Sequence, residues 1–258
     1  MIRLNPRYLE KSVQAGLRSQ FLQATPFQHV VLDDAFDLEL LRAVAAEYPQ
    51  ARHNAHFMNE TTRLKFSCDD WESFPPRTGE LVAFLNCGTF MKFLAAVTGI
   101  EDLTSDPYLF GGGMHETFPG GFLKMHTDFN FHRTLKLDRR INALLYLNEG
   151  WQREWKGELL LAGPGMKNPV SVEPVINRMV IFNTNDHSFH GQPDPNCFPE
   201  GNSRKSIAMY YYSQGRPGSE IKSRKFGTTW RARHAGDIPW RVRLRELRAR
   251  LRGDKRAK

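Results

Sequence analysis

The stretch from Gly120 to Ser213 decides how this chain is read: GGFLKMHTDFNFH (120–132), RRINALLYLNEGW (139–151), KGELLLAGPG (156–165), RMVIFNTNDHSFHGQPDP (178–195) and SRKSIAMYYYS (203–213). His126 and Asp128 are separated by one residue, and on an extended strand side chains at i and i+2 leave the same face. Both can therefore reach one ion. His190, at the end of another apolar run, can supply a third ligand if the strands fold back into a barrel. Two imidazoles and one carboxylate on one side of a metal, with the remaining positions open, suit a non-haem Fe(II) that must bind both a substrate acid and O2. Taken alone, His-x-Asp is also what polar residues at a strand end produce. Arg204 narrows the reading. It lies fourteen residues beyond His190 at the start of a strand-like run, with Ser206 on the same face. A guanidinium offers two parallel donors to a carboxylate, which is what a small dicarboxylate needs.

Period-2 alternation sorts the neighbours of these residues. On the run Arg140–Asn148, Asn142, Leu144 and Tyr146 share one side while Ile141, Ala143, Leu145 and Leu147 share the other. Turning Asn142 and Tyr146 inward places hydrogen-bonding groups toward the mouth of a barrel. His187 and His190 are three apart and fall on opposite faces of one strand, so the two compete for a single ligand position. His132, four residues past Asp128, reads as a surface histidine at the substrate entrance, and His115 as a structural one.

The order His126-x-Asp128, Arg140-Ile-Asn-Ala-Leu-Leu-Tyr-Leu-Asn148 with Trp151, Gly157-x-Leu, Ser188-Phe-His190 and Arg204-Lys-Ser206 resembles the 2-oxoglutarate and Fe(II)-dependent oxygenases of the prolyl 4-hydroxylase-like superfamily. The likeness runs from about Phe27 to Ser213. It implies a mainly β, α+β fold: a double-stranded β-helix, or cupin-like jelly roll, braced by N-terminal helices. It implies Fe(II) on His126, Asp128 and His190, with 2-oxoglutarate and O2 as cosubstrates. Arg204 with Ser206 and Tyr146 would then hold the far carboxylate of the 2-oxo acid, and Asn142 would lie near it. Related halogenases lack the carboxylate ligand, so Asp128 implies hydroxylation. The resemblance also selects His190 over His187, because the family keeps its ligand in the Phe-His-Gly context. Lys156 stands where the family has the first of two glycines, which puts the local turn in question.

Around this core the chain divides into three parts: residues 1–105, a helical and supporting region of the same domain; 106–215, the β-helix core; and 216–258, a basic extension. Leu9–Leu22, Leu38–Tyr48, a segment from an N-cap at Thr78 to Leu85, and Phe90–Val97 read as helices, and Pro26–Leu32 as a strand. Arg52–Trp71 has no clear period and reads as a loop or a lid over the site. Asp106–Phe118 reads as the first barrel strand, with a bulge or a close backbone approach at Gly111–Gly113. Three cysteines without close spacing suggest neither a disulfide framework nor a zinc site.

The net charge of +8 is unevenly placed: Ile221–Lys258 holds fourteen Lys or Arg and three Asp or Glu, a net of +11, leaving −3 for the rest. Pro239–Arg252 can form a helix with a Trp240, Leu244, Leu247, Leu251 stripe and arginines elsewhere. That helix either packs on the domain with a solvated cationic face or meets an anionic partner such as RNA. No apolar run is long enough to span a bilayer, and the N-terminus has no hydrophobic leader segment, so a cytoplasmic protein with no membrane partner is expected. The functional reading is hydroxylation of a substrate C–H bond, in a prolyl residue, peptide, free amino acid or small metabolite. The other class to weigh is a non-catalytic scaffold on the same barrel, recruited through its basic tail. A zinc hydrolase fits poorly, since nothing positions a general base and Arg204 would be idle.

Overall fold

A computed structural model of the chain describes residues 2–50, 55–234, 236–242 and 244. In chain order come helix α1 (Lys11–Gln23), strand β1 (His29–Leu32), helix α2 (Leu38–Glu47), strands β2 (Ala55–Phe57) and β3 (Thr62–Cys68), and helices α3 (Pro76–Leu85) and α4 (Gly88–Thr98). The rest is β: β4 (Thr104–Ser105), β5 (Gly113–Thr127), β6 (Asp138–Tyr146), β7 (Leu159–Ala162), β8 (Val170–Val172), β9 (Met179–Asn183), β10 (Phe189–Gln192), β11 (Arg204–Ser213) and β12 (Thr229–Trp230).

The strands form one antiparallel sheet in the order β1-β9-β6-β11-β5-β10-β7-β8, with β3 and β12 also docked on β5, β2 on β3 and β4 on β11. It curls into a half-barrel with two apolar faces. Ile141, Ala143 and Leu145 of β6, Met179 and Ile181 of β9, and Ile207, Met209 and Tyr211 of β11 join the helices in the larger core, against Leu41, Leu81, Phe90 and Leu94. The alternate residues Tyr146, Val180 and Phe182 meet Leu159 and Leu161 inside the curl. Each such buried side chain stabilises the fold by about 1.5–3 kcal/mol, so two-residue alternation fixes which side chains remain to line the interior.

The helices follow the expected pattern, with one difference, at the start of α3. Gly99 closes α4 in the left-handed region at φ 76°, the conformation glycine adopts most cheaply. Thr78, expected to cap α3, is instead inside it and buried. Glu47 of α2 does the capping, accepting from the Arg77 and Thr78 backbone N–H groups and the Thr78 hydroxyl. A carboxylate there also favours the helix dipole.

Arg52–Trp71 is not an irregular loop over its described part: Ala55–Cys68 is a hairpin, β2 on β3, laid against β5. The expected first barrel strand also differs. β5 runs on past Phe118, through Gly120 and Gly121, to Thr127. Gly113 marks the close approach foreseen there, since a Cβ would stand 2.1 Å from the Cys68 carbonyl oxygen.

Past β11 the chain returns to the core. Arg224 pairs with Asp138, Lys225 with Asp186, and Arg233 with Asp194 and Asp237, while Lys124 of β5 meets Asp237 at 2.8 Å. Much of the described basic segment thus serves to fasten it down. Ile238 and Val242 are the buried apolar residues among those described here, whereas Trp240 and Leu244 of the expected stripe are 67% and 39% exposed. Leu247, Leu251 and the arginines from Arg243 onward lie outside the described residues, as does 51–54. The three thiols are unpaired, with Cys68 buried and Cys197 exposed. Among the described residues no single helix is long and apolar enough to cross a membrane.

Candidate functional site

β5 carries His126 near its end, Asp128 follows just beyond the strand, and β10 sets His190 directly opposite His126 in register. The three side chains converge: each offers a ligand atom, and these atoms lie within 4.8 Å of one another. His126 Nε2 is 3.5 Å from Asp128 Oδ1, and His190 Nε2 is 3.3 Å from Asp128 Oδ2. Both Nδ1 atoms are engaged on backbone carbonyls, His126 with Lys124 at 2.8 Å and His190 with Ser188 at 3.0 Å. A carbonyl can only accept, so Nδ1 carries the proton and the Nε2 lone pairs face the site. Burial, then the neighbouring His190, push His126 down from its ordinary value, which keeps its imidazole neutral. Two neutral imidazoles and a carboxylate form a donor set that could hold a divalent ion such as Fe(II).

Asp128 is fixed by a residue the sequence reading passed over. Arg139 donates from Nη2 to Asp128 Oδ2 at 2.8 Å, Asn142 donates to the same oxygen at 2.8 Å, and Arg139 also donates to Asn142 Oδ1. The guanidinium lies 3.5 Å from the Tyr210 ring centroid and 4.4 Å from that of Phe129. Burial works against the Asp128 charge, but Arg139 and then His190 hold the carboxyl well below the usual range. With Oδ2 committed to two donors, Oδ1 is left for an ion. Strict alternation would turn Arg139 outward with Ile141. The ladder slips here, Tyr211 facing Ile141 but Tyr212 facing Arg139, and the extra residue reverses its face.

At the other end of the interior stands Arg204, aligned across the sheet with Thr117, while Ser206 aligns with His115 and Tyr146. Arg204 Nε donates to the Gly157 carbonyl at 2.6 Å, and the guanidinium is 4.9 Å from the Tyr146 ring centroid. The turn questioned at Lys156 does form: Lys156 takes φ 56° and Gly157 φ 87°. The Tyr146 hydroxyl is buried beside the guanidinium without a hydrogen bond of good geometry.

His126, Asp128, His190, Asn142, Arg204 and Ser206 all line one cavity of about 340 Å³, within the range of small-molecule sites. Tyr146 lies behind it in the inner core. Two walls come from outside the expected barrel: Phe57, Asn59, Thr62 and Lys65 from the β2–β3 hairpin, and Thr228 and Trp230 from the C-terminal segment. The Trp230 ring is 5.2 Å from that of His126. His115 also faces the cavity, its Nε2 at 3.0 Å from the Gly111 carbonyl, and burial keeps it neutral. His187 is exposed and does not line the cavity. His132 is no surface residue: it is 4% exposed and set 3.3 Å from buried Asp106, beneath Tyr108, Phe110 and Tyr212.

Residues 112–212 match the family model described as the 2OG-Fe(II) oxygenase superfamily. No curated protein matches the sequence at a significant level. Among solved structures, a Pseudomonas putida prolyl-4-hydroxylase aligns at TM-score 0.51 and 18% identity, covering 79% of this chain and 100% of that one. A Trichoplax adhaerens prolyl hydroxylase, in complex with a hypoxia inducible factor oxygen degradation domain peptide fragment, aligns at 0.58 and 14%, covering 79% and 90%. HygX from Streptomyces hygroscopicus, with nickel, 2-oxoglutarate and hygromycin B bound, aligns at 0.52 and 12%, covering 78% and 92%. These likenesses identify the curled sheet as the double-stranded β-helix.

Proposed function

We propose that this chain is a 2-oxoglutarate- and Fe(II)-dependent oxygenase, prolyl 4-hydroxylase-like in kind, a reading its match to the family model and its fold support, and that it hydroxylates a C–H bond of a prolyl residue, a free amino acid or a related small metabolite. His126, Asp128 and His190 would hold the Fe(II), and Arg204 would clamp the far carboxylate of 2-oxoglutarate. Bound together, the metal, the 2-oxo acid and O2 supply the oxidising power that places a hydroxyl on an unactivated carbon and releases succinate and CO2.

The chain's own residues prepare that site. The Lys124 and Ser188 carbonyls fix the tautomers that aim both Nε2 atoms inward. Arg139 and Asn142 fix the Asp128 carboxylate, leaving one oxygen for the metal. On the wall of the same cavity, the Arg204 fork with Ser206, and with Tyr146 against its guanidinium, offers the donors a carboxylate takes. Trp230, Phe129 and the hairpin wall the cavity and limit water.

The observation that carries this reading is the pairing of an intact His126, Asp128, His190 cluster with an acid-seeking guanidinium across a single cavity. The test is succinate release by the Fe(II)-loaded chain, with mass spectrometry for gain of one oxygen atom in peptide and amino-acid libraries. His126→Ala and Asp128→Ala should abolish 2-oxoglutarate turnover. Unchanged succinate release in either variant would refute the ligand assignment.

A further inference from the structure

Lys65 of β3, Thr117 of β5 and Arg204 of β11 stand in register across three neighbouring strands. Directly paired residues leave a pleated sheet on the same side, and all three line the cavity. Among the described residues, neither Lys65 nor Arg204 has a carboxylate at ion-pair distance; the close contact of the Lys65 amine is the Phe57 ring, 5.0 Å from its centroid. Asp128 is the one carboxylate among the lining residues, and Arg139 already answers it. The cavity therefore holds two unanswered cations. The reading above uses one of them, since 2-oxoglutarate has one carboxylate at the metal and one on Arg204. Lys65 is left over, and charges removed from water are normally paired. Burial, then the Arg204 charge, push its amine down to about 8, so at neutral pH it is still largely an ammonium.

We propose that Lys65 binds a carboxylate of the substrate, so that the pocket selects small acids such as free amino or imino acids over residues inside a peptide, whose carboxyl is an amide. The inference rests on the oxygenase reading and narrows it. The position of Lys65 favours substrate over cosubstrate: it comes from the hairpin that also contributes Phe57 and Asn59 to the wall. The far carboxylate of 2-oxoglutarate has its own set of donors in Arg204, Ser206 and Tyr146.

The test is calorimetric binding to the full-length chain loaded with Mn(II) and 2-oxoglutarate. The probes are matched pairs of L-amino acids and their primary amides, beginning with L-proline and L-prolinamide. Acids are expected to bind at least about tenfold more tightly than amides, as a charge-assisted hydrogen bond predicts. Lys65→Met should erase that preference, Lys65→Arg should retain it, and 2-oxoglutarate affinity should move less than about twofold in both. Amides bound as well as acids, no acid in the panel bound, or an acid preference intact in Lys65→Met would each overturn the proposal. So would an equal loss of 2-oxoglutarate affinity in Lys65→Met, which would make the lysine a cosubstrate ligand. Failure of the wild-type chain to bind 2-oxoglutarate at all would remove the oxygenase reading itself, which these other outcomes leave standing.

Discussion

Replacing Arg139 by Met, Asp128 by Asn, and both together tests how the carboxylate at the centre of the site is held. The two side chains are 2.8 Å apart and only 1% and 11% exposed, and methionine preserves most of the packing between Phe129 and Tyr210. Removing one partner of a buried pair strands the other charge and costs about 3–5 kcal/mol. Asp128→Asn made in the Arg139→Met background removes that stranded charge. It should therefore cost about 2–3 kcal/mol less than the same change in the wild type, a coupling typical of contacting residues. The assay is urea unfolding of the metal-free chain at pH 7 with a chelator present. Acid gives a second reading. The folded carboxyl of Asp128 lies well below its ordinary value, so its stabilisation is complete above the unfolded pKa near ~3.9 and is lost as pH falls toward the folded one. Without Arg139 that acid-dependent loss should shrink. Coupling below about 0.5 kcal/mol, as independent sites give, would refute the role assigned to Arg139.

Arg204→Met should weaken 2-oxoglutarate binding roughly a hundredfold, the worth of charged hydrogen bonds, with Mn(II) affinity unchanged by calorimetry. Gly157→Ala should reproduce part of that loss, about tenfold, because a Cβ there would stand 3.2 Å from Arg204 Cδ and 3.3 Å from the Phe198 ring, at φ 87°. Burial opposes the charge of Asp237, but the Arg233 backbone N–H and the Lys124 and Arg233 side chains bring it down to about 2. Its contribution is present above the unfolded value and lost as pH falls through the folded one. Asp237→Asn should thus cost about 2 kcal/mol at pH 7 and flatten the acid limb of the unfolding curve between those two pKa values.

What could be read from the chain was whatever local periodicity and residue chemistry carry. Asn142 and Ser206 lie on the interior face that alternation gave them, and the apolar partners of β6 and β11 lie on the helix side. The residues missed are those where alternation breaks or where distant segments meet. The slip opposite Tyr212 turned Arg139 inward. In β3 the register shifts between Arg63 and Lys65, with Leu64 at φ 49°, so the hairpin showed no period and Lys65 no face. His132 looked like a surface residue because its partner Asp106 lies 26 positions earlier in the chain. Trp230 reaches His126 through pairing of β12 with β5, which nothing nearby in sequence announces.

That pairing has a consequence for how the site is assembled. A protein is made from its N-terminus, so β12 is the last of the described strands to be made, and until it docks the cleft beside His126 lacks a side. An expression fragment trimmed to residues 112–212, the stretch that the family model matches, would keep every proposed iron ligand and still leave the chamber ajar.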